Sequence, residues 1–271
     1  MKTSAIIAPG TFPCATAPLQ GPYEQVLRQA ADIGYDGVQL TVNRPEEVDV
    51  PALLALTAQY GLEVSAIATG MGYTVDGLSL GMGDEEKRRG AVERMKGHID
   101  LAKKLGGAMV IIGAIRGRYA DADSPQHYHS QFDRSIREVV DWAEQAGIVV
   151  IFEANDHLET DAYISIRETA EYIRAINSPC FRLQLDTMHM LYEGEEIYQP
   201  ILDNADILAQ MDISGEDRRC PAEGDYDYPQ VIRALKEGDF RGWLAFEFRP
   251  APPEEAARVA YDYITGLIKN Q

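Results

Sequence analysis

The chain of 271 residues is short of three things whose scarcity is informative: cysteine, cationic side chains and long apolar runs. Its three cysteines, Cys14, Cys180 and Cys220, are odd in number and far apart. That pattern excludes a secreted disulfide framework, and no histidine or cationic cluster beside any of them would generate a reactive thiolate. Lys plus Arg total 25 against 43 Asp plus Glu, a formal net charge of −18. A field of that sign repels phosphate backbones and anionic lipid, so neither nucleic acid nor a membrane surface is an expected partner. The longest apolar run, Leu105 to Ile115, is roughly half of the ~20 residues that a membrane-spanning helix needs, and it reads as a buried strand. Met1 to Ile7 lacks the long apolar region and the Ala-x-Ala-like site of an export signal, and the expected compartment is the cytoplasm.

Phosphate-binding glycine motifs are missing as well. The turn after the first strand candidate reads Ala8-Pro9-Gly10-Thr11-Phe12-Pro13, with no G-x-G-x-x-G fingerprint. Gly70-Met71-Gly72 and Gly81-Met82-Gly83 lack the lysine of a P-loop and read as flexible loop, with the role of a lid open to them.

What is present is a regular alternation. Strand candidates run Ser4 to Ala8, Gly37 to Val42, Val64 to Thr69, Ala108 to Ile112, Val149 to Ala154, Arg182 to Asp186, Ile207 to Ile213 and Trp243 to Phe248. Between them lie helical patterns at Tyr23 to Ile33, Val50 to Tyr60, Asp84 to Leu105, Gln131 to Ala146, Asp161 to Ile176, Ile197 to Asn204, Tyr228 to Lys236 and Pro253 to Ile268, several closed by a glycine stop. Eight strand–helix units without a Pro/Ser-rich linker predict an α/β fold, a single (β/α)8 TIM barrel forming one domain over residues 1–271. In such a barrel the chemistry sits at the carboxyl ends of the strands.

Four consecutive strands end in an acid that interrupts an apolar run: Glu153, Asp186, Asp212 and Glu247. Each alone could cap a helix or pair with a lysine. Together, at intervals close to one βα repeat, they reach one end of the barrel, where unpaired carboxylates are costly to desolvate. A divalent cation removes that cost, and oxygen donors suit Mn2+, Mg2+ or a similar hard ion better than a soft one. His189 and Arg218 follow in loops on the same side and are assigned to substrate oxygens. Arg116 and Arg118 stand as candidate clamps for an acid-sugar carboxylate, with surface solvation or an internal ion pair as the equal alternative. Tyr73 and Trp243 are candidates for the pocket wall, where core packing is the competing reading.

The chain resembles the xylose isomerase-like TIM-barrel superfamily of sugar isomerases and epimerases over nearly its whole length. Within it the likeness is to ketose 3-epimerases, especially the 5-keto-L-gluconate epimerase group. Ala68-Thr69-Gly70 through Tyr73, Asp76 to Leu80, Glu93 to Lys96, Ile111 to Arg118 and Asp186 to Met190 carry it. The resemblance implies a small-molecule sugar substrate and a metal held by a Glu, an Asp, a His and a Glu. Glu153, Asp186 and Glu247 match, whereas Asp212 stands where the family has a histidine. Asp156 and His157 replace the usual Asn and Arg after Glu153. The resemblance also implies that Glu153 and Glu247 act as paired acid and base across an enediolate, and that the chain is a homo-oligomer, dimer or tetramer. A dehydratase of the inosose or 3-dehydroshikimate type, and a subunit of a keto-glycoside-processing enzyme, are the alternatives. An endonuclease-IV-like activity is opposed by the charge and by the presence of only five histidines.

Overall fold

Strand follows helix along the computed structural model, which describes residues 1–8, 14–224, 226–249 and 252–270. The strands are β1 (Lys2–Ala8), β2 (Leu19–Gln20), β3 (Gly37–Thr41), β4 (Glu63–Ala68), β5 (Met109–Ile112), β6 (Val150–Glu153), β7 (Phe181–Asp186), β8 (Leu208–Ile213) and β9 (Trp243–Phe246). The α-helices are α1 (Tyr23–Ile33), α2 (Val50–Tyr60), α3 (Met71–Thr74), α4 (Glu85–Lys104), α5 (Pro125–Ala146), α6 (Ile166–Ile176), α7 (Thr187–Tyr192), α8 (Tyr198–Asp203), α9 (Tyr228–Glu237) and α10 (Pro253–Asn270). All nine strands lie in one sheet in the order β2-β1-β3-β4-β5-β6-β7-β8-β9, and β1 also pairs with β9. With β2 a two-residue addition beside β1, this is the expected closed (β/α)8 barrel of eight strands.

The chain forms two compact units. The first comprises residues 1–41, 51–65 and 183–271. In it β1 pairs in parallel with both β3 and β9, and β8 joins β7 to β9. The strands are buried on both faces, as parallel strands covered by helices must be. Helix α1 buries Val26, Leu27, Ala30 and Ile33, one stripe at helical spacing, and ends at Gly34 with φ +116, a backbone conformation that glycine adopts without steric cost.

The second unit comprises residues 42–50 and 66–182, with β4, β5 and β6 in parallel register. Asp84 opens α4 by accepting hydrogen bonds from the Glu86 and Lys87 amides. Ser124 caps α5, and Pro125 takes its first position. Close packing at a glycine fixes the segment before α4. A Cβ on Gly81 would lie 2.0 Å from a ring carbon of Tyr128, so only glycine allows that approach.

Three expectations are corrected here. Helix α5 begins at Pro125, not Gln131, because the Ser124 cap outweighs the polar His127 and His129. Helix α6 begins at Ile166, not Asp161, since Tyr163 adopts φ +57 and Ser165 supplies the cap. The segments read as flexible lid are built in: Met71–Thr74 is the short helix α3, Gly72 is buried, and Gly81 packs under Tyr128. Strand β2 and helix α7 were not expected at all. The turn 9–13, on which the missing dinucleotide fingerprint was read, lies outside the described residues.

Candidate active site

In the first unit the strand-terminal acids converge. Asp186 is the last residue of β7 and stands in register opposite Asp212 of β8, while Asp212 faces Ala245 of β9, two residues before Glu247. The Glu247 amide bonds to the Ile213 carbonyl at 3.1 Å, which continues the register past the end of β9. One carboxylate oxygen from each of Asp186, Asp212 and Glu247 lies within 4.8 Å of the others. Asp186 and Asp212 are fully buried.

Each of these charges is oriented by named partners. Asp186 caps α7 by accepting from the Met188 amide at 2.7 Å. That cap turns the chain so that His189, itself buried, places a ring nitrogen within 4.8 Å of an Asp186 oxygen. Asp212 accepts from Gln184 Nε2 at 2.9 Å on one oxygen and from Gln210 Nε2 at 2.8 Å on the other. Gln210 Nε2 also donates to Gln39 Oε1 at 2.7 Å. Glu247 receives the Thr16 hydroxyl at 2.7 Å on Oε1, a partner 231 residues away in the chain.

Arg218 closes the set. Its Nη1 bonds to Asp186 Oδ2 and stands 3.3 Å from Glu247 Oε2, while Nη2 lies 3.3 Å from His189 Nε2. The guanidinium therefore links the two carboxylates and the imidazole in one plane of donors. Reaching that position strains the backbone, since Asp217 and Arg218 both have left-handed φ, +54 and +58. Such conformations cost a non-glycine residue about 1–2 kcal/mol each. Tyr192, at the end of α7, holds the strained turn by donating its hydroxyl to Asp217 Oδ1 at 2.7 Å and accepting from the Asp217 amide at 3.2 Å.

In the second unit Glu153 is the last residue of β6 and is buried. Gly113 leaves room for it, because a Cβ there would stand 3.0 Å from Glu153 Oε2. Arg116 supports this strand end from behind. It is fully buried and donates to the backbone carbonyls of Gly113, Ala162, Tyr163, Ile112 and Glu153, with its guanidinium 4.5 Å from the Phe152 ring centroid. A guanidinium has five N–H donors, and here five carbonyls receive them. Burial pulls the Arg116 pKa down, and the charge of Glu153 acts in the opposite direction.

That placement corrects the carboxylate-clamp reading of Arg116, whose donors are all spent on main chain. Arg118 likewise gives Nη2 to the carbonyls of Leu158 and Glu159. The Tyr73 hydroxyl donates to Asp121 Oδ1 at 3.4 Å, an internal contact in place of the expected one with substrate. Trp243 opens β9 at the end opposite Glu247, with Lys2 Nζ 5.2 Å from its ring, so it is no part of the site wall. Sequence reasoning missed Thr16, Gln184, Gln210 and Tyr192. The two glutamines had a legible signal, since each lies two residues before an acid and so on the same face of its strand.

The donor set of Asp186, Asp212 and Glu247 fits a hard divalent cation, which prefers carboxylate and carbonyl oxygen. Gln210 Oε1 is a further observation in favour: it is a buried oxygen with no hydrogen-bond partner among the described residues.

Residues 27–266 match the xylose isomerase-like TIM barrel family. The chain belongs to that family. Among curated relatives, a ketose 3-epimerase of Arthrobacter globiformis is 25% identical over 224 residues, 82% of this chain and 75% of the relative. A 3-dehydro-D-guloside 4-epimerase of Escherichia coli K12 is 23% identical over 245 residues, covering 86% and 90% of the two chains. The crystal structure of a D-allulose 3-epimerase from Methylomonas sp. superposes with a TM-score of 0.82 at 20% identity, over 98% of this chain and 99% of that one. Both of these curated relatives are sugar epimerases, and no helix among the described residues is long and apolar enough to cross a membrane.

Proposed function

We propose that this xylose isomerase-like barrel, as one domain over residues 1–271, is a divalent-metal-dependent epimerase or isomerase of a keto-sugar. The observation that carries the reading is the convergence of Asp186, Asp212 and Glu247 at three neighbouring strand ends, with His189 and Arg218 beside them. Epimerase relatives support it. Glu153, at the end of the preceding strand, is taken as the fourth oxygen ligand. A bound Mn2+, with Mg2+ or Co2+ as substitutes, supplies Lewis-acid stabilisation of negative charge on the substrate's oxygens.

The side chains do the rest. Glu153 and Glu247 serve as the two proton carriers on opposite faces of the sugar, one removing the proton next to the ketone and the other returning it. Thr16 fixes Glu247 through Oε1, and Arg218 stands beside Oε2, the oxygen assigned to proton transfer. Arg218 and His189 hold the substrate oxygens on which charge develops in the enediolate. Arg116 contributes by locking the backbone of Glu153 in place rather than by touching substrate. A keto-glycoside-processing role is the second reading, favoured by the keto-glycoside epimerase relative. Cytoplasmic residence and a homo-oligomeric state, dimer or tetramer, belong to the same proposal.

Glu153→Gln and Glu247→Gln preserve shape and remove the base. Each is expected to lower turnover on the best substrate at least about 100-fold, with unchanged circular dichroism. Near-normal turnover in both variants overturns the two-carboxylate mechanism.

A further inference from the structure

Beneath the acids of β7 and β8 lies a layer of amides. Gln184 stands in register opposite Gln210, as Asp186 does opposite Asp212, and each glutamine precedes its acid by two residues, on the same face of its strand. Leu183 pairs with Leu208 and Gln184 with Gln210, so β8 carries one extra residue, Ala209, at that point, a device that re-aims the side chains beyond it. Gln39 of β3 completes the layer. All three glutamines are at most 3% exposed, in a barrel interior where branched apolar side chains fill the space without desolvating an amide.

The hydrogen bonds show what the amides do there. An ionised carboxylate only accepts, so each amide turns an N–H toward Asp212. Gln184 Nε2 donates to Oδ2 at 2.9 Å and Gln210 Nε2 to Oδ1 at 2.8 Å. The other N–H of Gln210 goes to Gln39 Oε1 at 2.7 Å, which ties the amide to β3 and fixes which of its ends faces the acid. Gln210 Oε1 is thereby turned away, buried and without a partner among the described residues. With one donor on each oxygen, the Asp212 carboxylate is held in one orientation.

The nitrogen nearest these acids is engaged elsewhere. A guanidinium has donors only, so the Nε2 of His189, 3.3 Å from Arg218 Nη2, is the accepting nitrogen of its ring. Asp186, Asp212 and Glu247 therefore present carboxylate oxygen, and on Asp212 that oxygen is clamped.

Cations respond differently to such a ligand. Raw affinity rises from Mn2+ to Zn2+ at an ordinary site, so discrimination has to come from ligand type and geometry. Mg2+ demands near-octahedral geometry and keeps several waters, and Mn2+ shares its liking for carboxylate, whereas Zn2+ has no geometric preference of electronic origin and settles with four ligands. A fixed carboxylate serves the hard ions, and one free to swing serves zinc as well. The waters of a hydrated ion are also donors of the kind that Gln210 Oε1 lacks.

We propose that Gln184 and Gln210, braced by Gln39, set the metal selectivity of this barrel: by clamping both oxygens of Asp212 they support Mg2+ and Mn2+ and deny Zn2+ its ordinary advantage. They act through Asp212 and are positioning residues. The inference rests on the reading of the acids as a metal site.

Equilibrium dialysis of the purified protein against Mg2+, Mn2+ and Zn2+, each alone at neutral pH, reads the selectivity without any substrate. Gln184→Met and Gln210→Met keep the bulk and remove the donors. Each is expected to weaken Mg2+ and Mn2+ binding at least about tenfold, the usual cost of losing a ligand's partner, and Zn2+ binding less than about threefold. Gln39→Met, one side chain further from the acid, is expected to move the Mn2+-to-Zn2+ affinity ratio the same way by about threefold, and it carries the test if the other two variants fail to fold by circular dichroism. Loss of all three ions by the same factor marks a merely structural role and overturns the selectivity, as do unchanged affinities; Mn2+ binding by the wild type then leaves the metal site standing. Wild-type protein that takes up none of the three ions removes the metal reading itself, and the selectivity with it.

Discussion

Replacing His98 tests how the interior of the second unit bears on stability. His98 lies on the inner face of α4, fully buried, and neither ring nitrogen has a hydrogen-bond partner among the described residues. Burial, with a smaller push from Arg94, drops its pKa from 6.5 to about 3. The folded protein therefore keeps the ring neutral while the unfolded chain protonates it below pH 6.5. Across the window from pH 6.5 down to about 3 the unfolded state binds more protons, and stability falls as pH falls. At about 1.36 kcal/mol per pH unit, the 1.5 units between pH 6.5 and pH 5.0 remove about 2 kcal/mol. His98→Leu has similar bulk and no titrating group, so it lacks this loss. Urea unfolding followed by circular dichroism at pH 7.5 and pH 5.0, at fixed ionic strength, should show the wild type losing about 2 kcal/mol more than the variant. Staying above pH 5.0 leaves carboxylates such as Glu85, held down to about 2 by Arg88, ionised throughout. Equal pH dependence in the two proteins would refute the buried neutral ring.

Other consequences follow from single contacts. Arg116→Met strands five buried carbonyls and should cost at least about 3 kcal/mol of unfolding free energy, measured by denaturant titration. Gly81→Ala drives a methyl into Tyr128 and should cost about 1–3 kcal/mol in the same assay. Thr16→Val removes the donor to Glu247; kcat should fall about tenfold or more with KM little changed, and Thr16→Ser should restore it. Asp212→Asn turns a carboxylate ligand into an amide facing two amide donors, and Mn2+ affinity by equilibrium dialysis should drop at least about tenfold.

Much of the barrel is legible in the chain because its signals agree. Helices α1 and α2 follow the expected limits to the residue, since an apolar pattern and a glycine stop coincide at Gly34 and Gly61. Helix α5 starts six residues early because its first turns carry polar side chains, and the Ser124 cap acts without help from periodicity. Strand β2 is two residues long, too short to hold a period. The acids were visible because a charge at the end of an apolar strand has no structural need to be there. Thr16 was not, since a contact across 231 residues leaves no local trace. Arg116 misled for a related reason: an arginine saturated by carbonyls and one facing solvent look alike in a sequence, and only the fold counts the acceptors.

Proton abstraction next to a ketone, proposed for Glu153 and Glu247 beside the Asp186 and Asp212 ligands, is read by isotope exchange whether or not product accumulates. The Mn2+-loaded protein is incubated in D2O with ketoses, keto-glycosides and inososes, and each is analysed by mass spectrometry. A gain of one mass unit in at least one keto-sugar, without loss of water, is the expected result. Loss of water would contradict epimerisation in favour of a dehydratase, and a full panel without exchange, at demonstrated metal occupancy, would contradict the claim altogether.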